Sequence, residues 1–576
     1  MRDLKELTGY DIITEEKIPE VNGTGYILSH KKTKARVLVI ANDDENKVFN
    51  IGFRTPPYDD SGIPHILEHS VLCGSRKYPV KDPFVELAKG SLNTFLNAMT
   101  YSDKTVYPVA SCNEKDFENL MDVYLDAVFY PNIYEHTEIM RQEGWHYELE
   151  TVEGELIYNG VVFNEMKGAF SSPEQQMYSK IEKLLLADTP YKNESGGDPA
   201  AIPTLSQERF LDFHRKYYHP SNSYIYLYGD LDMYKELDYI DKEYLSSFDY
   251  REIDSTIAVQ IAYEQMKDES CFYSIAENES EENQTFLTYN MVVGSSLDKK
   301  QSVAMNILEY AIMDAPGAPL KKALVDAGIG EDVFASFDDG IRQTIFSIVA
   351  RNANMSDKER FVSVIRDTLT DLSGHGEEGK AIDRTSIEAA INNFEFKHKE
   401  ANFGRFPKGL MMGLDAFNTW LYDDASALEM FKLNEVYDEL KESLKTGYFE
   451  ELIWEKLVQN TFGMIFVMKP KKGLDKENDA AEKQKLADYK ASLTEKELEQ
   501  VVADTKELKL YQETPSPAED MEKVPLLNIS DIRKEIHPLK NREDSIYGMP
   551  LISHDIFTNG IGYLEFIFDI NDLDAE

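Results

Sequence analysis

Two histidines and a glutamate within five residues have the types and the spacing of a hydrolytic metal site. His65 and His69 are four residues apart, so on a helix, at about 100° per residue, they lie roughly 40° apart and one turn apart on the same face. Two imidazoles arranged in this way can bind one ion. Glu68 lies about 60° to the other side of His65, so it presents a carboxylate to water bound at that ion.

Zinc is the metal that this donor set favours, because zinc prefers imidazole nitrogens and a catalytic zinc uses three protein ligands plus one open position. Glu68 would be the general base that takes the proton from zinc-activated water as it attacks a peptide carbonyl. The third ligand must lie elsewhere, and the candidate is Glu165 on a predicted helix. Spacing alone leaves two alternatives open, a solvated glutamate and a surface histidine pair without metal.

The helix that must carry this motif is predicted to begin at about residue 63. Asp59, Asp60 and Ser61 are capping residues, and Pro64 follows where a first helical turn tolerates proline. The polar and apolar alternation of residues 25–53 predicts an antiparallel meander of three strands. Further strands are predicted at 93–100, 104–111, 145–149, 155–158 and 223–228, and further helices at 82–89, from 113, at 160–170 and at 206–218. Together they predict an α+β unit that ends near residue 255.

The remaining chain divides into three segments. Residues 256–470 repeat the order of strand, long helix, strands and helices without a His-x-x-Glu-His motif, which predicts a second domain of similar layout. The chain then becomes rich in charges, and Thr494 and Glu497 form a capping box, so residues 471–525 are predicted to be a helical hairpin linker. Ile561–Ile570 has the composition of a strand, and residues 526–576 are therefore expected to begin a third domain without completing it.

The net charge of the chain argues against two classes of partner. The 104 acidic and 61 basic residues give a formal net charge of -43, which repels phosphate backbones and anionic lipid headgroups and attracts cations. Nucleic acid and membrane surfaces are therefore not expected as partners, whereas basic peptides are. The alternative is that the charge serves solubility alone.

The cysteines and the N-terminal residues are those of a protein from a reducing compartment. Cys73, Cys112 and Cys271 lie far apart and form no Cys-x-x-Cys pair, so neither a disulfide framework nor a cysteine zinc site is indicated. Residues 1–16 lack the apolar segment of a signal peptide. No later run reaches the roughly 18 apolar residues that a membrane span needs. A cytoplasmic protein is the expectation.

Longer runs around the motif resemble a known family. Gly62–Ser75 (GIPHILEHSVLCGS), Ser91–Thr100 (SLNTFLNAMT) and Gly160–Gly168 (GVVFNEMKG) closely resemble the presequence-protease branch of the insulinase-type M16 zinc metallopeptidases. Glu165 stands 96 residues after His69, in the segment that carries the third zinc ligand in that branch. The resemblance therefore implies one zinc ion per chain, bound by His65, His69 and Glu165.

The resemblance also implies a domain organisation. Further matches at Gly197-Asp198-Pro199, His219-Pro220, Gly229-Asp230 and Ala315–Leu320 extend it over the whole chain. Family members have four similar α+β domains in two halves that close around unstructured peptides. The expected fold is thus two similar M16-type α/β sandwich domains, a helical hairpin linker and the first strands of a third domain. The expected bounds are 1–255 for the zinc-bearing domain, 256–470 for a domain without metal, 471–525 for the linker and 526–576 for the truncated domain.

A substrate-binding edge strand is a further implication of the resemblance. It falls on Leu96, Asn97, Ala98, Met99 and Thr100. An edge strand binds an extended peptide through backbone hydrogen bonds, whatever the peptide's side chains. Asn97 and Ala98 are the residues expected to contact the peptide, and the alternative is an ordinary buried strand.

The functional hypothesis is a zinc-dependent endopeptidase of unstructured peptides, with Glu68 as general base. No Walker-type phosphate-binding run accompanies the motif, so the hydrolysis would be independent of ATP. The alternative is an incomplete half that binds zinc and peptide and needs a C-terminal half for activity. Because an open half-shell cannot enclose a substrate, the chain alone is then expected to be only weakly active.

Overall fold

Two β-sheets with helices packed on their faces make up most of the fold in a computed structural model. The structure describes residues 2–570 except Glu378, Lys380, His537 and Leu539. Among these residues, every helix is too short or too polar to cross a lipid bilayer.

The first part of the chain forms an eight-stranded sheet, a small hairpin and eight α-helices. The strands are β1 (Tyr10–Ile18), β2 (Gly23–His30), β3 (Arg36–Ala41), β4 (Lys47–Arg54), β5 (Asn93–Leu96), β6 (Met99–Thr100), β7 (Lys104–Ser111), β8 (His146–Glu148), β9 (Ile157–Asn159) and β10 (Ser223–Gly229). The helices are α1 (Ile63–Val71), α2 (Pro83–Gly90), α3 (Glu114–Phe129), α4 (Thr137–Glu143), α5 (Val161–Ala169), α6 (Pro173–Leu185), α7 (Gln207–Tyr217) and α8 (Met233–Glu243).

The order of strands in this first sheet differs from the predicted meander. The order is β1-β2-β3-β10-β4-β7-β5, with β6 also pairing with β7. Strand β10 lies between β3 and β4, parallel to β3 and antiparallel to β4. All seven residues of β10 are buried, as expected of a central strand covered on both faces. The prediction that residues 25–53 form a simple meander is therefore wrong, because a strand from about 170 residues later inserts between two of its members.

The second part of the chain repeats this plan with a five-stranded sheet in the order β11-β15-β12-β14-β13. Its strands are β11 (Lys267–Ile275), β12 (Thr285–Ser295), β13 (Asp332–Asp338), β14 (Gln343–Ala353) and β15 (Gly463–Lys472). Its helices are α9 (Lys299–Glu309), α10 (Pro319–Asp326), α11 (Lys358–Leu372), α12 (Arg384–Glu400), α13 (Lys408–Trp420), α14 (Asn434–Ser443) and α15 (Tyr448–Ile453).

Each sheet is covered in part by a helix from the other part of the chain. Helix α6 packs Met177 and Ile181 into the core on one face of the second sheet. Helix α13 packs Phe417 and Trp420 onto the first sheet, where the Trp420 ring lies 5.1 Å from that of Tyr224. The two sheets are therefore joined by apolar contacts. Burial of this apolar surface stabilises the folded state by roughly 25 cal/mol per Å².

A helical hairpin follows the second sheet and docks on the β8–β9 hairpin. It consists of α16 (Leu474–Ser492) and α17 (Glu495–Glu513), followed by the short α18 (Ala518–Met521). The predicted capping box of Thr494 and Glu497 is confirmed at the start of α17. The Tyr489 ring stacks on that of Tyr147 at 4.9 Å.

The last two strands of the described chain form a hairpin, β16 (Asn541–Ile546) and β17 (Met549–His554). Ile561–Ile570, predicted to be a strand, has no secondary structure. Its apolar residues are exposed, among them Leu564 and Ile567 at 87% and 89%. A strand needs a hydrogen-bonding neighbour, and none of the described strands pairs with this segment.

Candidate metal centre

Helix α1 holds the His-x-x-Glu-His motif against the core of the first part of the chain. The helix begins directly after Gly62 with Pro64 in its first turn, where the missing N–H of proline costs no helical hydrogen bond. Ile66 and Leu67 are fully buried in the core. With these two residues packed inward, the side chains of His65 and His69 are fixed on the side of α1 that faces α5.

The three predicted ligands converge in the structure. The Nε2 atoms of His65 and His69 lie 3.8 and 3.7 Å from Oε2 of Glu165, and the three ligand atoms all lie within 4.8 Å of one another. Tetrahedral zinc with bonds of about 2.0–2.2 Å requires ligand atoms about 3.4 Å apart. The two histidine–glutamate distances exceed this separation by only about 0.3–0.4 Å, so the donor types and their closeness fit a zinc ion. The three side chains are 12%, 24% and 53% exposed, so the site remains open to solvent.

The outer ring nitrogens of both histidines have acceptors. Nδ1 of His65 lies 3.1 Å from the carbonyl oxygen of Gly196, and Nδ1 of His69 lies 3.3 Å from Oε2 of Glu143. A carbonyl and an ionised carboxylate can only accept hydrogen bonds, so each Nδ1 carries the proton and donates. In the neutral imidazole, each Nε2 then has a lone pair available for a metal at the position between the three ligands.

Two glycines allow the helices that carry the site to approach one another. A Cβ atom on Gly160, the residue before α5, would lie 2.3 Å from the carbonyl oxygen of Gly144, the residue after α4. A Cβ atom on Gly144 would in turn lie 3.0 Å from Cγ2 of Ile66 on α1. The amide of Phe163 donates to the Gly144 carbonyl at 3.3 Å. The start of α5 is thus brought against the end of α4, and the end of α4 against α1, at distances that larger residues would prevent.

Glu143 is a polar residue of this site that the sequence reasoning missed. It ends α4, and its side chain is only 10% exposed. Burial raises its pKa, but hydrogen bonds from His69 and Gln142 outweigh burial and hold the pKa below its usual range. Burial lowers the pKa of His69, and the carboxylates of Glu143, Glu68 and Glu165 outweigh it and raise the pKa. The local field therefore favours positive charge at the centre, as a metal-binding site requires.

A cavity of about 480 Å³ opens beside α1. Its lining includes Glu68 and His69 from the motif, Asn97 and Ala98 from the edge of the first sheet, and Gln512 from α17. Glu68 is 9% exposed. The carboxylate expected to act as base is thus largely shielded from water. The cavity that it lines is also lined by part of the predicted peptide strand.

The predicted peptide strand is interrupted in its middle. Strand β5 ends at Leu96 and β6 begins at Met99, although their register with β7 is continuous across the gap. In this register Asn97 faces Pro108, and its N–H donates to the Pro108 carbonyl at 3.4 Å. Proline has no N–H to return, so the ladder is broken here. The Asn97 carbonyl instead accepts a hydrogen bond from the Tyr124 hydroxyl at 3.3 Å.

The outer side of this interrupted strand is an edge of the first sheet. Among the described residues, β5 and β6 pair only with β7. In an antiparallel pair the backbone groups point alternately towards and away from the neighbouring strand. Because Asn97 and Tyr101 donate towards β7, the backbone groups of Leu96, Ala98 and Thr100 point outward.

Comparisons with known proteins agree with this fold. The matching family models define the class, which is that of the insulinase-type peptidases. The family model described as Insulinase (Peptidase family M16) matches residues 48–179, and Peptidase M16 inactive domain matches 204–394. A third model, for the segment associated with subfamily C of the M16 peptidases, matches 468–576. The chain belongs to the M16 peptidase family, and the resemblance seen in the sequence is confirmed as presequence-protease-like.

Two curated relatives align along nearly the whole chain. Protein HypA of Clostridium perfringens is 48% identical over 98% of this chain, which spans 57% of that relative. Presequence protease 1, chloroplastic/mitochondrial, of Arabidopsis thaliana is 40% identical over 100% of this chain, which spans 53% of that relative. The chain thus spans about half the length of these relatives.

Solved structures support the fold class predicted from the sequence. A protease from Helicobacter pylori has a TM-score of 0.58 at 16% identity, covering 78% of this chain and 100% of that chain. Pitrilysin has a TM-score of 0.55 at 17% identity, covering 81% of this chain and 47% of that chain. At such low identity the likeness concerns the fold alone, and the prediction of M16-type α+β domains is confirmed.

Proposed function

We propose that the chain is a zinc-dependent endopeptidase of unstructured peptides. The observation that carries the proposal is the convergence of His65, His69 and Glu165 within 4.8 Å beside the buried Glu68. Membership of a peptidase family supports it, as do relatives named presequence proteases.

The residues of the site would have two different roles in hydrolysis, metal binding and proton transfer. His65, His69 and Glu165 would hold one zinc ion, which when bound supplies a Lewis acid that polarises water and the scissile carbonyl. Glu68 would act as general base, accepting the proton of the attacking water and passing it to the leaving amine. Its low exposure favours proton transfer, because bulk water does not compete for the carboxylate.

Peptides would bind along the edge formed by β5 and β6. In the described part of the chain no strand pairs with the outward backbone groups of Leu96, Ala98 and Thr100, which could therefore pair with an extended peptide. Asn97 would contribute through its side chain, since its N–H and carbonyl are engaged with Pro108 and Tyr124. Such pairing recognises an unfolded backbone and not a particular side chain.

Charge would bias the choice of peptide. The formal net charge of -43 favours basic substrates by raising their local concentration, an effect that salt weakens. Matched acidic and basic peptides, compared at low and high ionic strength, test this bias. The cytoplasmic location expected from the sequence stays a prediction, since one relative is named as chloroplastic and mitochondrial.

The direct test of the proposed function separates metal binding from hydrolysis. Elemental analysis should find one zinc per chain, and Glu68→Gln should keep that zinc while losing hydrolysis by roughly 100- to 10,000-fold, because only the base is removed. Glu153→Gln, a charge-matched change at an exposed residue, should change neither. A chain that takes up no zinc from added salt refutes the proposal, and zinc loss in Glu68→Gln would make Glu68 a ligand instead of the base.

The alternative function is that of a zinc- and peptide-binding half that needs a second polypeptide for turnover. It is favoured by the relatives, which are about twice as long. The chain should be assayed alone and with a polypeptide corresponding to the remaining half of such a relative. Zinc binding without turnover alone, and turnover on addition, would establish the alternative. Full turnover by the chain alone would exclude it.

A further inference from the structure

The two histidines of the candidate metal centre have unlike partners on their outer nitrogens. His65 donates to a neutral acceptor, the carbonyl oxygen of Gly196, at 3.1 Å. His69 donates to a carboxylate, Oε2 of Glu143, at 3.3 Å. A carboxylate behind a metal-binding imidazole fixes its orientation and increases the electron density at the opposite nitrogen, which strengthens that nitrogen as a ligand.

Glu143 is held in place for this contact by its own neighbours. Its other oxygen, Oε1, accepts a hydrogen bond from Nε2 of Gln142 at 2.7 Å and from the thiol of Cys73 at 3.6 Å. Cys73 lies two residues after the end of α1, and its Sγ atom is also 3.6 Å from the His69 carbonyl oxygen. Both carboxylate oxygens are therefore occupied, and the side chain cannot turn away from His69 without losing several contacts at once.

The backbone reinforces this arrangement. Glu143 is the last residue of α4, and Gly144 follows it. Because Gly144 has no side chain, the end of α4 approaches Ile66, and a Cβ atom there would lie 3.0 Å from Cγ2 of that residue. Ile66 lies between the two histidines on α1. The element that carries the carboxylate is thus packed directly on the element that carries the ligands.

We propose that Glu143 is a positioning residue of the metal centre, which orients His69 through Nδ1 and strengthens zinc binding at its Nε2. The inference rests on the proposed function, since it assigns a role around the same zinc ion. Glu143 reaches neither the metal nor the peptide in this role. It acts only through His69, so its effect should be visible in the properties of the bound metal.

The test measures metal affinity and the spectrum of cobalt in the same site. Zinc affinity is measured by competition with a chromophoric chelator for the full chain and for Glu143→Gln, Glu143→Ala and Glu143→Asp. Loss of an outer partner typically weakens metal binding by roughly 10- to 100-fold. We expect Glu143→Gln, which keeps an acceptor but loses the charge, near the lower end and Glu143→Ala near the upper end. The visible bands of the cobalt-loaded protein should shift in both variants, with Glu143→Asp between them and the parent chain.

The controls separate a change at the metal from a change in folding. Glu135→Gln removes an exposed carboxylate in the turn before α4 and should match the parent chain in affinity and spectrum. Denaturant unfolding of the metal-free variants shows whether the fold is kept, and Glu143→Gln serves where Glu143→Ala does not fold. Parent-like zinc affinity and cobalt bands in folded Glu143→Gln and Glu143→Ala would overturn the positioning role alone. A parent chain that binds neither metal would overturn the proposed function as well.

Discussion

Replacing Gly160 with alanine should push α5 away from α4 and displace Glu165. The new Cβ atom would lie 2.3 Å from the Gly144 carbonyl oxygen and 2.8 Å from Cα of Trp145. Both are backbone atoms, so no side chain can rotate away, and a separation of about 3.4 Å requires a relative shift of about 1 Å. Metal–ligand distances in zinc sites stay within about 0.2 Å of their usual values. Such overpacking typically costs about 1–3 kcal/mol of folding free energy.

The measurements for Gly160→Ala are denaturant unfolding of the metal-free chain and zinc affinity by chelator competition. We expect a loss of about 1–3 kcal/mol in stability and at least tenfold weaker zinc binding, the lower limit seen when support around a metal site is lost. Gly168→Ala is the matched control, since a Cβ atom there meets nothing within 4 Å and alanine favours a helix interior by about 0.5–1 kcal/mol. Parent-like stability and zinc affinity in Gly160→Ala would refute the argument that this glycine contact sets the ligand geometry.

Three further predictions concern single side chains. Glu165→Gln should weaken zinc binding by more than the roughly 10- to 100-fold expected for an outer partner, and parent-like affinity would remove Glu165 from the ligand set. Ala98→Pro, which deletes one outward N–H, should raise KM by about 2- to 10-fold, the value of one hydrogen bond, with zinc content unchanged; an unaltered KM would count against the peptide edge. Glu236 is 2% exposed, and burial and the charge of Glu118 raise its pKa to about 7. Because the folded-state pKa is raised, its contribution is full below about pH 4.5 and is lost as pH rises through about 7, on the order of 3 kcal/mol in all. In denaturant unfolding of the metal-free protein, Glu236→Gln should therefore gain stability relative to the parent over this range, and a constant difference would contradict it.

The parts of the site that the sequence predicts are those whose geometry is contained in one helical turn. His65, Glu68 and His69 lie within five residues, so helical periodicity alone fixes their directions. Glu165 lies 96 residues after His69; its predicted helix made it a candidate, and the family resemblance then strengthened that choice over a solvated glutamate. The structure brings its carboxylate next to both imidazoles through the packing of α5 on α4 and of α4 on α1, which no local pattern describes.

In the fold, too, the features set by neighbouring residues could be predicted from the sequence, and those set by distant contacts could not. Most helices and strands near the site were anticipated from capping residues and alternation, because these patterns act over a few neighbouring residues. The insertion of β10 between β3 and β4, and the exchange of α6 and α13 between sheets, depend on contacts between distant segments. The break at Asn97 could in principle be predicted from the sequence. Pro108 stands in the neighbouring strand, and a proline there removes one ladder hydrogen bond.

Glu143 shows that a residue type unfavourable for its own helix can indicate a contact with a distant part of the chain. It lies 74 residues from His69 in the chain, so no motif spacing connects them. A carboxylate in the last turn of a helix is disfavoured by the helix dipole, and a buried glutamate is rare unless it is paired. Glu143 departs from the first rule and meets the second only through His69, and next to it stands Gly144, which allows the close approach to α1. An acidic residue in an unfavourable position, followed by a glycine that permits tight packing, indicates a partner outside its own helix. Here the partner is the imidazole of His69.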